Sequence, residues 1–350
     1  MFTFKHRCWF KPEKLMPNNE HHAIVIGIND YPLSGLPPLE GPVNDAEDFY
    51  VWLRDPTGGN LPESNIRRIL STDFQPDEIK PIPNQVEALF EPFIVSGVQG
   101  RQGERLYIFA AGHGFGDPGD ISQTALYAAN AKRMFPWHIA VTNYVEWLRR
   151  HAVFDELVLI MDCCRTVNSW HSIREPQYVV SAGSPAADKV RYFYAFAVGR
   201  GQVARERSFA DGRKSGIFTK AVIDALRVTG PDEQGRVTGW LLKNQIHNSL
   251  DKFAGDVSVE PPEIRLDSFH DITFLRRKKA AALSVQVALQ PYSGTETLVL
   301  YNGEFKEIRQ ERASAASLSL ELEPGLYKIA VSSTGRQKIF EVPNNERITV

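Results

Sequence analysis

Two near-continuous apolar runs in this chain end in reactive side chains. Leu106-Tyr107-Ile108-Phe109-Ala110-Ala111 leads into Gly112-His113-Gly114, and Leu157-Val158-Leu159-Ile160-Met161 leads into Asp162-Cys163-Cys164-Arg165. Apolar runs without polar alternation mark strands buried on both faces, as in a parallel sheet. Residues 22–28 (HAIVIGI) and 191–197 (RYFYAFA) have the same character, and 65–71 (NIRRILS) reads as a further strand. Between these runs the spacing predicts helices. In 43–54, Val43, Ala46, Phe49, Tyr50 and Leu53 recur at helical intervals, with Asn44 and Asp45 suited to the cap or first turn. Segments 84–94, 139–151 and 217–228 continue the pattern, while 112–138 reads as a long polar, glycine-rich connection. Strands alternating with helices predict an α/β fold with a mostly parallel sheet flanked by helices.

Sheets of this kind bind ligands beyond the carboxyl ends of their strands, where the connections diverge. His113 and Cys164 both lie just past such ends, 51 residues apart. Neighbouring strands sit about 4.7–4.9 Å apart, so adjacency of the two runs would set these side chains across one crevice. A thiol and an imidazole so placed make a nucleophile and its base. The backbone N–H groups of Gly114 and Cys164 are candidates to hold an oxyanion.

The remaining composition excludes several classes. A formal net charge of −2 gives no support to nucleic-acid binding through overall charge. No apolar run approaches the ~20 residues of a membrane span, and the start (MFTFKHRCWFKPEKLM) lacks a signal-peptide core. Three cysteines, two of them adjacent, do not make a disulfide framework, so a reducing cytoplasm is expected. No GxSxG or Walker-type loop is present, and the histidines lack ligand-like spacing with cysteine. Neither metal nor cofactor is expected.

The composition changes after residue 276. Residues 1–20 form a lead-in, 21–276 the α/β domain, and RRKKA a linker. Residues 282–350 hold short alternating segments (ALSVQVAL, ETLVLYN, SLSLELE, LYKIAVSS, QKIFEV, ERITV) separated by Pro324-Gly325 and Pro343-Asn344-Asn345. This pattern predicts a small antiparallel β-sandwich, and it contains no histidine or cysteine.

Taken in order, these segments resemble the caspase-like peptidases, metacaspases in particular, over roughly residues 20–275. HAIVIGINDY resembles the family's first strand, and Leu39-Glu40-Gly41-Pro42-Val43-Asn44-Asp45-Ala46 resembles its Leu-x-Gly-Cys-x-Asn-Asp-Ala segment. Ala110-Ala111-Gly112-His113-Gly114 is similar to the catalytic-histidine motif, and the family histidine precedes its cysteine by ~50 residues. Asp162-Cys163-Cys164-Arg165 is similar to the nucleophile motif, and Gly216-Ile217-Phe218-Thr219 to the later helix start.

The resemblance implies a cysteine endopeptidase with His113 and Cys164 as its dyad, and Cys163 as a packed neighbour. Metacaspases favour Arg or Lys at the cleaved position and hold it with two acidic residues; the matching positions are Asp45 and Asp162. Related enzymes are often cut in the loop corresponding to 165–190, which makes Arg174 and Lys189 candidate autocleavage residues. The partners implied are a protein or peptide substrate and a regulatory protein docking through the β-sandwich. By analogy the whole suggests a regulated bacterial protease in defence or cell death. The chain departs from the family at Pro42 (for cysteine), Thr166-Val167 (for Ser-Gly), Asn130 (for aspartate) and His171 (for aspartate). The last removes the expectation of calcium dependence. The residues after Cys164 keep open an alternative, a catalytically silent scaffold that binds protein.

Overall fold

The computed structural model describes residues 16–169, 171–176, 178, 182–267, 269–277, 283–294, 296–303, 305–323, 325–342 and 347–350. Two compact units are present. One runs to Thr229 and resumes over Thr238–Leu275; the other comprises Gly230–Val237 and Arg276–Val350.

The first unit follows the expected alternation. Its elements are β1 (His21–Gly27), α1 (Gly41–Arg54), β2 (Ile66–Leu70), α2 (Pro83–Gly97) and β3 (Gly103–Ala111), then β4 (Gly114–Gly116), β5 (Thr124–Tyr127), β6 (His138–Ile139), α3 (Val141–Arg150), β7 (Phe154–Asp162) and β8 (Arg191–Phe196). A hairpin of β9 (Glu206–Ser208) and β10 (Lys214–Gly216) leads into α4 (Ile217–Val228). The chain then passes through β11 (Arg236–Thr238), of which Arg236 and Val237 fall in the second unit, to α5 (Gly239–Ala254), β12 (Glu263–Leu266) and β13 (Thr273–Arg276).

Six strands form the central sheet in the order β12-β8-β7-β3-β1-β2. All pairs are parallel except β12 with β8. From β1 the chain goes to β2 on one side and then to β3 on the other. The crevice beyond β1 and β3 is therefore the topological switch point. One sheet face buries Ile24, Ile26, Ile108, Ala110, Leu157 and Leu159 with Phe90 and Phe93 of α2 and Tyr144 and Leu148 of α3. On the other, Phe49 and Trp52 of α1 pack on Tyr107, and Phe49 stacks on Phe109 at 5.0 Å between ring centroids. Full burial of each such side chain contributes about 1.5–3 kcal/mol.

A buried ion pair fixes the register of β3 on β7. Arg105 and Glu156 are Cα partners, each 2% exposed, and Arg105 Nε donates to Glu156 Oε2 at 2.5 Å. Slipping the strands would strand both charges in the sheet, at a cost well above that of mispaired apolar groups. The same register sets Ala111 opposite Asp162.

The structure corrects three local expectations. First, α1 begins at Gly41 with Pro42 in its first turn, so Asn44 and Asp45 are inside the helix and do not cap it. Its leading amide is satisfied from elsewhere in the chain, by Glu206. Second, the stretch 112–138 contains the β4-β5-β6 sheet, which begins directly after His113. Third, α5 and the antiparallel edge strand β12 were not expected. The apolar stripe of α5 is narrow, with Leu242, Ile246 and Leu250 buried among polar residues.

In the second unit, β14 (Leu283–Ala288), β17 (Ser317–Leu322) and β20 (Arg347–Thr349) form one sheet. The other contains β15 (Thr297–Asn302), β16 (Glu307–Arg312), β18 (Gly325–Val331) and β19 (Gln337–Val342). Val285, Val287 and Leu320 from the first share a core with Leu298, Ile329, Val331 and Phe340 from the second. This is a sandwich. The strand β16 (EIRQER) has no apolar alternation because it is an exposed edge, where charge discourages further pairing. Most of the proposed linker, together with Pro324 and 343–345, lies outside the described residues.

Candidate active site

His113 and Cys164 each lie two residues beyond the paired positions Ala111 and Asp162. The two strand ends stay joined past the sheet. Gly112 N–H donates to the Asp162 carbonyl at 3.2 Å, and Gly116 N–H donates to the Thr166 carbonyl at 3.0 Å. The adjacency inferred from the two apolar runs is therefore present. No hydrogen bond among the described residues joins the two side chains directly.

The imidazole is oriented by the loop after β1. His113 Nε2 lies 2.9 Å from the Pro37 carbonyl. A carbonyl only accepts, so Nε2 carries the proton and Nδ1 is the free base of the neutral ring. Tyr31 holds the other side. Its ring packs edge-on at 4.9 Å, and its hydroxyl accepts from His113 N–H and donates to the Ile28 carbonyl, both at 2.9 Å. Burial lowers the His113 pKa below its ordinary value, opposed by the Pro37 carbonyl and the charge of Glu206.

Cys164 is half-buried, and its Sγ points at the Ala204 carbonyl, 3.9 Å away. Burial pushes its thiol up. A raised thiol beside a lowered imidazole favours the neutral pair over a thiolate–imidazolium pair at rest. Cys163 is 2% exposed and belongs to the core, with its thiol pushed further up by burial. A Cβ on Gly114 would fall 2.6 Å from Cys163 Sγ, so this approach of β4 to the nucleophile segment requires glycine. Arg165, wholly buried, donates to Thr124 Oγ1 at 3.0 Å and Glu263 Oε2 at 2.5 Å and lies over the Phe196 ring, anchoring the backbone just after Cys164.

Along β4 the amides alternate in direction. Those of Gly112 and Gly116 point at the 162–166 segment, so Gly114 N–H, midway between them, faces Cys164. Tyr127 N–H donates to the His113 carbonyl at 2.8 Å, which makes Gly114 and Leu126 the pair without ladder hydrogen bonds. The Gly114 amide thereby stays outside the β4–β5 ladder.

Asp45 and Asp162 converge on Gly216 at the head of α4. Gly216 N–H lies 3.1 and 2.9 Å from Asp45 Oδ1 and Oδ2. Thr219 donates its N–H and hydroxyl to Asp162 Oδ2 at 3.0 and 2.7 Å. A Cβ on Gly216 would overlap Asp162 Oδ2 and stand 3.0 Å from Asp45 Oδ2, so only glycine admits both carboxyls. Burial raises both carboxyls, and their mutual repulsion lifts Asp45 further; Asp162 is pushed up to about 6. Burial disfavours the charged form of both carboxyls, which a cation beside them would stabilise.

Arg174 and Lys189 are exposed but are not brought to Cys164 by any contact among the described residues. Arg174 N–H donates to His138 Nε2 at 2.8 Å, and Lys189 closes the 3₁₀ turn Ala187–Lys189. Sequence reasoning assigned no role to Tyr31, Pro37, Ala204, Glu206 or Thr219, although Tyr31 and Thr219 lie in the motifs named above. Four of these act through backbone groups or meet the site only after folding. Glu206 was hidden in 199–216, a segment dominated by arginines and lysine.

A family model for the caspase domain, of the peptidase C14 group, matches residues 20–245. A probable protease from a Desulfuromonadales bacterium is 27% identical over 229 residues, covering 60% of this chain and 26% of that protein. The chain thus spans about a quarter of the length of this curated relative. Among solved structures, caspase-1 from Spodoptera frugiperda is 10% identical, with a TM-score of 0.49 over 79% of this chain and 99% of that one. The structure of pro-sf-caspase-1 is 12% identical, with a TM-score of 0.42 over 75% and 94%. The family match spans well over half of the sequence and includes both strand ends described above: the chain belongs to the caspase-domain family of cysteine peptidases.

Proposed function

We propose that this protein is an endopeptidase that cuts after Arg or Lys through a His113–Cys164 dyad. The observation that carries the reading is the aligned pair of strand ends, with Gly112-His113-Gly114 alongside Asp162-Cys163-Cys164 over two buried carboxyls. Cys164 gives its proton to His113 Nδ1 as sulfur attacks the scissile carbonyl carbon. The amides of Gly114 and Cys164 receive the oxyanion. The imidazolium then protonates the leaving amine, and water, deprotonated by the same ring, hydrolyses the thioester and returns the thiol. Asp45 and Asp162 attract the basic side chain through charge-assisted hydrogen bonds.

Self-processing within 165–190 belongs to this reading. Arg174 and Lys189 present side chains the pocket would take, and cutting at either requires its backbone first to leave His138 or the 3₁₀ turn. The biological setting we propose is regulated proteolysis, with the β-sandwich docking a regulatory protein.

The test is hydrolysis of fluorogenic peptides ending in Arg, Lys or Asp by the wild type, Cys164→Ala and Cys163→Ala. Cleavage after Arg and Lys, lost in Cys164→Ala and kept in Cys163→Ala, is the expected result. Cleavage that survives Cys164→Ala, or occurs only after Asp, overturns it. The second reading, a silent scaffold, draws on the Ala204 carbonyl lying against Cys164 Sγ, and is favoured if no peptide is cut.

A further inference from the structure

The segment that follows Cys164 is tied to the small sheet that follows His113. Residues 171–176 form neither helix nor strand. Asp117, just past β4, accepts from Ile173 N–H through Oδ2 at 2.6 Å. His138 of β6 accepts from Arg174 N–H through Nε2 at 2.8 Å, and Tyr127 Oη of β5 lies 3.2 Å from His171 Nδ1. Phe115 of β4 packs edge-on against both imidazoles, 5.2 Å from His138 and 6.0 Å from His171 between ring centroids. Burial adds little to this hold. Ser172, Arg174 and Glu175 are exposed. Arg174, Glu175 and Pro176 border a cavity of about 680 Å³ shared with Glu87, Trp137 and Tyr144. The segment is therefore kept in place chiefly by polar contacts.

One of these contacts is disabled by a proton. His138 Nδ1 lies 2.6 Å from the Pro136 carbonyl, so Nδ1 carries the hydrogen and Nε2 keeps its lone pair. The Arg174 amide uses that lone pair. Protonation places a second N–H on Nε2, and two donors then face each other. Burial, the charge of His171 and the charge of Arg174 oppose the imidazolium, while the Pro136 carbonyl and Asp117 favour it; the balance puts His138 below its ordinary 6.5. The Asp117 tether does not respond in the same range. Burial raises its carboxyl, but the amides of Ile173, Asp120 and Gly119 and the charge of Arg200 hold it below the ordinary carboxylate value. The neutral ring is thus the closed form. Its hold is complete above pH 6.5 and is lost as pH falls through the lowered value.

We propose that His138 is the catch of a proton-operated latch: the neutral imidazole keeps residues 171–176 docked on the β4–β6 sheet and withholds Arg174 from cleavage, and the imidazolium releases the segment. Cleavage at Arg174 rests on the Arg/Lys reading above, whereas the latch itself rests on the contacts of Asp117, Tyr127 and His138. A charged His138 also repels a charged His171, which the segment carries, so release is driven as well as permitted. Acidification protonates Asp162 too and weakens substrate capture, so the consequence for cutting is read at pH 7.5 with the catch removed by substitution.

The experiment is hydrogen–deuterium exchange of residues 171–176 in the full-length Cys164→Ala protein, corrected for the pH dependence of intrinsic exchange. Peptides from β3 and β7 report on global opening. Protection of 171–176 is expected to fall about tenfold between pH 7.5 and pH 5 while β3 and β7 stay protected. His138→Phe keeps a ring beside Phe115 but offers no acceptor, and is expected to lose the protection at both pH values. His138→Gln offers Arg174 N–H an oxygen that does not titrate, and is expected to keep it at both. Protection that is unchanged at pH 5, or that survives in His138→Phe at pH 7.5, overturns the latch, and so does a His138→Gln protein as pH-sensitive as the one with histidine. Should β3 and β7 open at pH 5, the comparison of His138→Phe with histidine at pH 7.5 decides. With Cys164 restored, His138→Phe at pH 7.5 is expected to accumulate the fragment ending at Arg174 about tenfold faster than the wild type. Lost protection without that fragment leaves the latch standing and sinks self-processing at Arg174.

Discussion

Arg105 and Glu156 stand opposite each other in the β3–β7 ladder, and the register they pin places Ala111 against Asp162, six residues further along each strand. Cys164 and His113, the proposed nucleophile and base, follow two residues after the ends of those two strands. A structural pair at one edge of the sheet thus sets the alignment of the chemistry at the other.

Glu156→Ala is expected to destabilise the protein by about 3–5 kcal/mol, since it leaves Arg105 buried without its carboxylate and also removes the partner of Arg191. The double variant Arg105→Met/Glu156→Leu is expected to recover most of that loss, because the fully buried Arg105 charge is gone and Arg191, a third exposed, can turn to water. Urea denaturation of the three proteins checks both statements; a double variant no more stable than the single one would contradict them.

Native-state alkylation separates the two cysteines. Iodoacetamide is expected to modify Cys164 in the wild type and in Cys163→Ala, and to leave Cys163 unmodified in Cys164→Ala. The reason is access: Cys163 is 2% exposed and its thiol is pushed up by burial, while Cys164 is half-buried at the crevice. Peptide mapping by mass spectrometry reads the result, and modification of Cys163 before Cys164 would refute it.

Tyr31→Phe removes one hydroxyl and two buried hydrogen bonds, to His113 N–H and the Ile28 carbonyl. The expected cost is about 1–3 kcal/mol of stability, because a buried N–H loses its acceptor. A drop in kcat of roughly tenfold is expected with little change in KM, since the residue positions the imidazole and does not reach the specificity pocket. Steady-state kinetics on an arginine peptide test this, and an increase confined to KM would contradict it.

Asp162 links activity to stability with opposite signs. Its carboxyl is raised from an ordinary 3.8 to about 6. The folded state therefore binds more protons than the unfolded one between these values. This contribution to stability is fully present below about pH 4 and fades as pH rises through 6. In the proposed function substrate capture uses the ionised form, so kcat/KM on arginine peptides is expected to fall as pH drops below about 6. Asp162→Asn, which still accepts from Thr219, is expected to raise the melting temperature at pH 7.5, by more than at pH 4, while lowering kcat/KM for arginine by at least tenfold. Thermal scans at both pH values check the sign, and a variant less stable than wild type at pH 7.5 would refute it.

Much of the candidate site's geometry was legible because it is local in sequence. Apolar runs of the observed length and character form buried strands, and His113 and Cys164 sit at fixed offsets from their ends. Helix α4 was read with its observed bounds because Gly216 and the apolar pattern of 217–228 are both local signals. The start of α1 was misread for the opposite reason. Asn44 and Asp45 look like caps, yet the acceptor at the head of that helix is Glu206, some 160 residues away in sequence. The β4–β6 sheet was read as a loop because its strands are two to four residues long and too short to show alternation.

The sequence by itself determined which side chains can do chemistry and which strand ends carry them, since burial pattern and residue type are enough for that. Only the tertiary structure decided how those groups are tuned. The tautomer of His113 depends on the Pro37 carbonyl, the raised carboxyl of Asp162 on burial and on the charge of Glu206, and the head of α1 on the Glu206 carboxylate. Each of these is a contact between segments far apart in the chain. Hydrogen bonds and Coulomb forces act over a few ångströms of space and are indifferent to the number of residues between the groups they join.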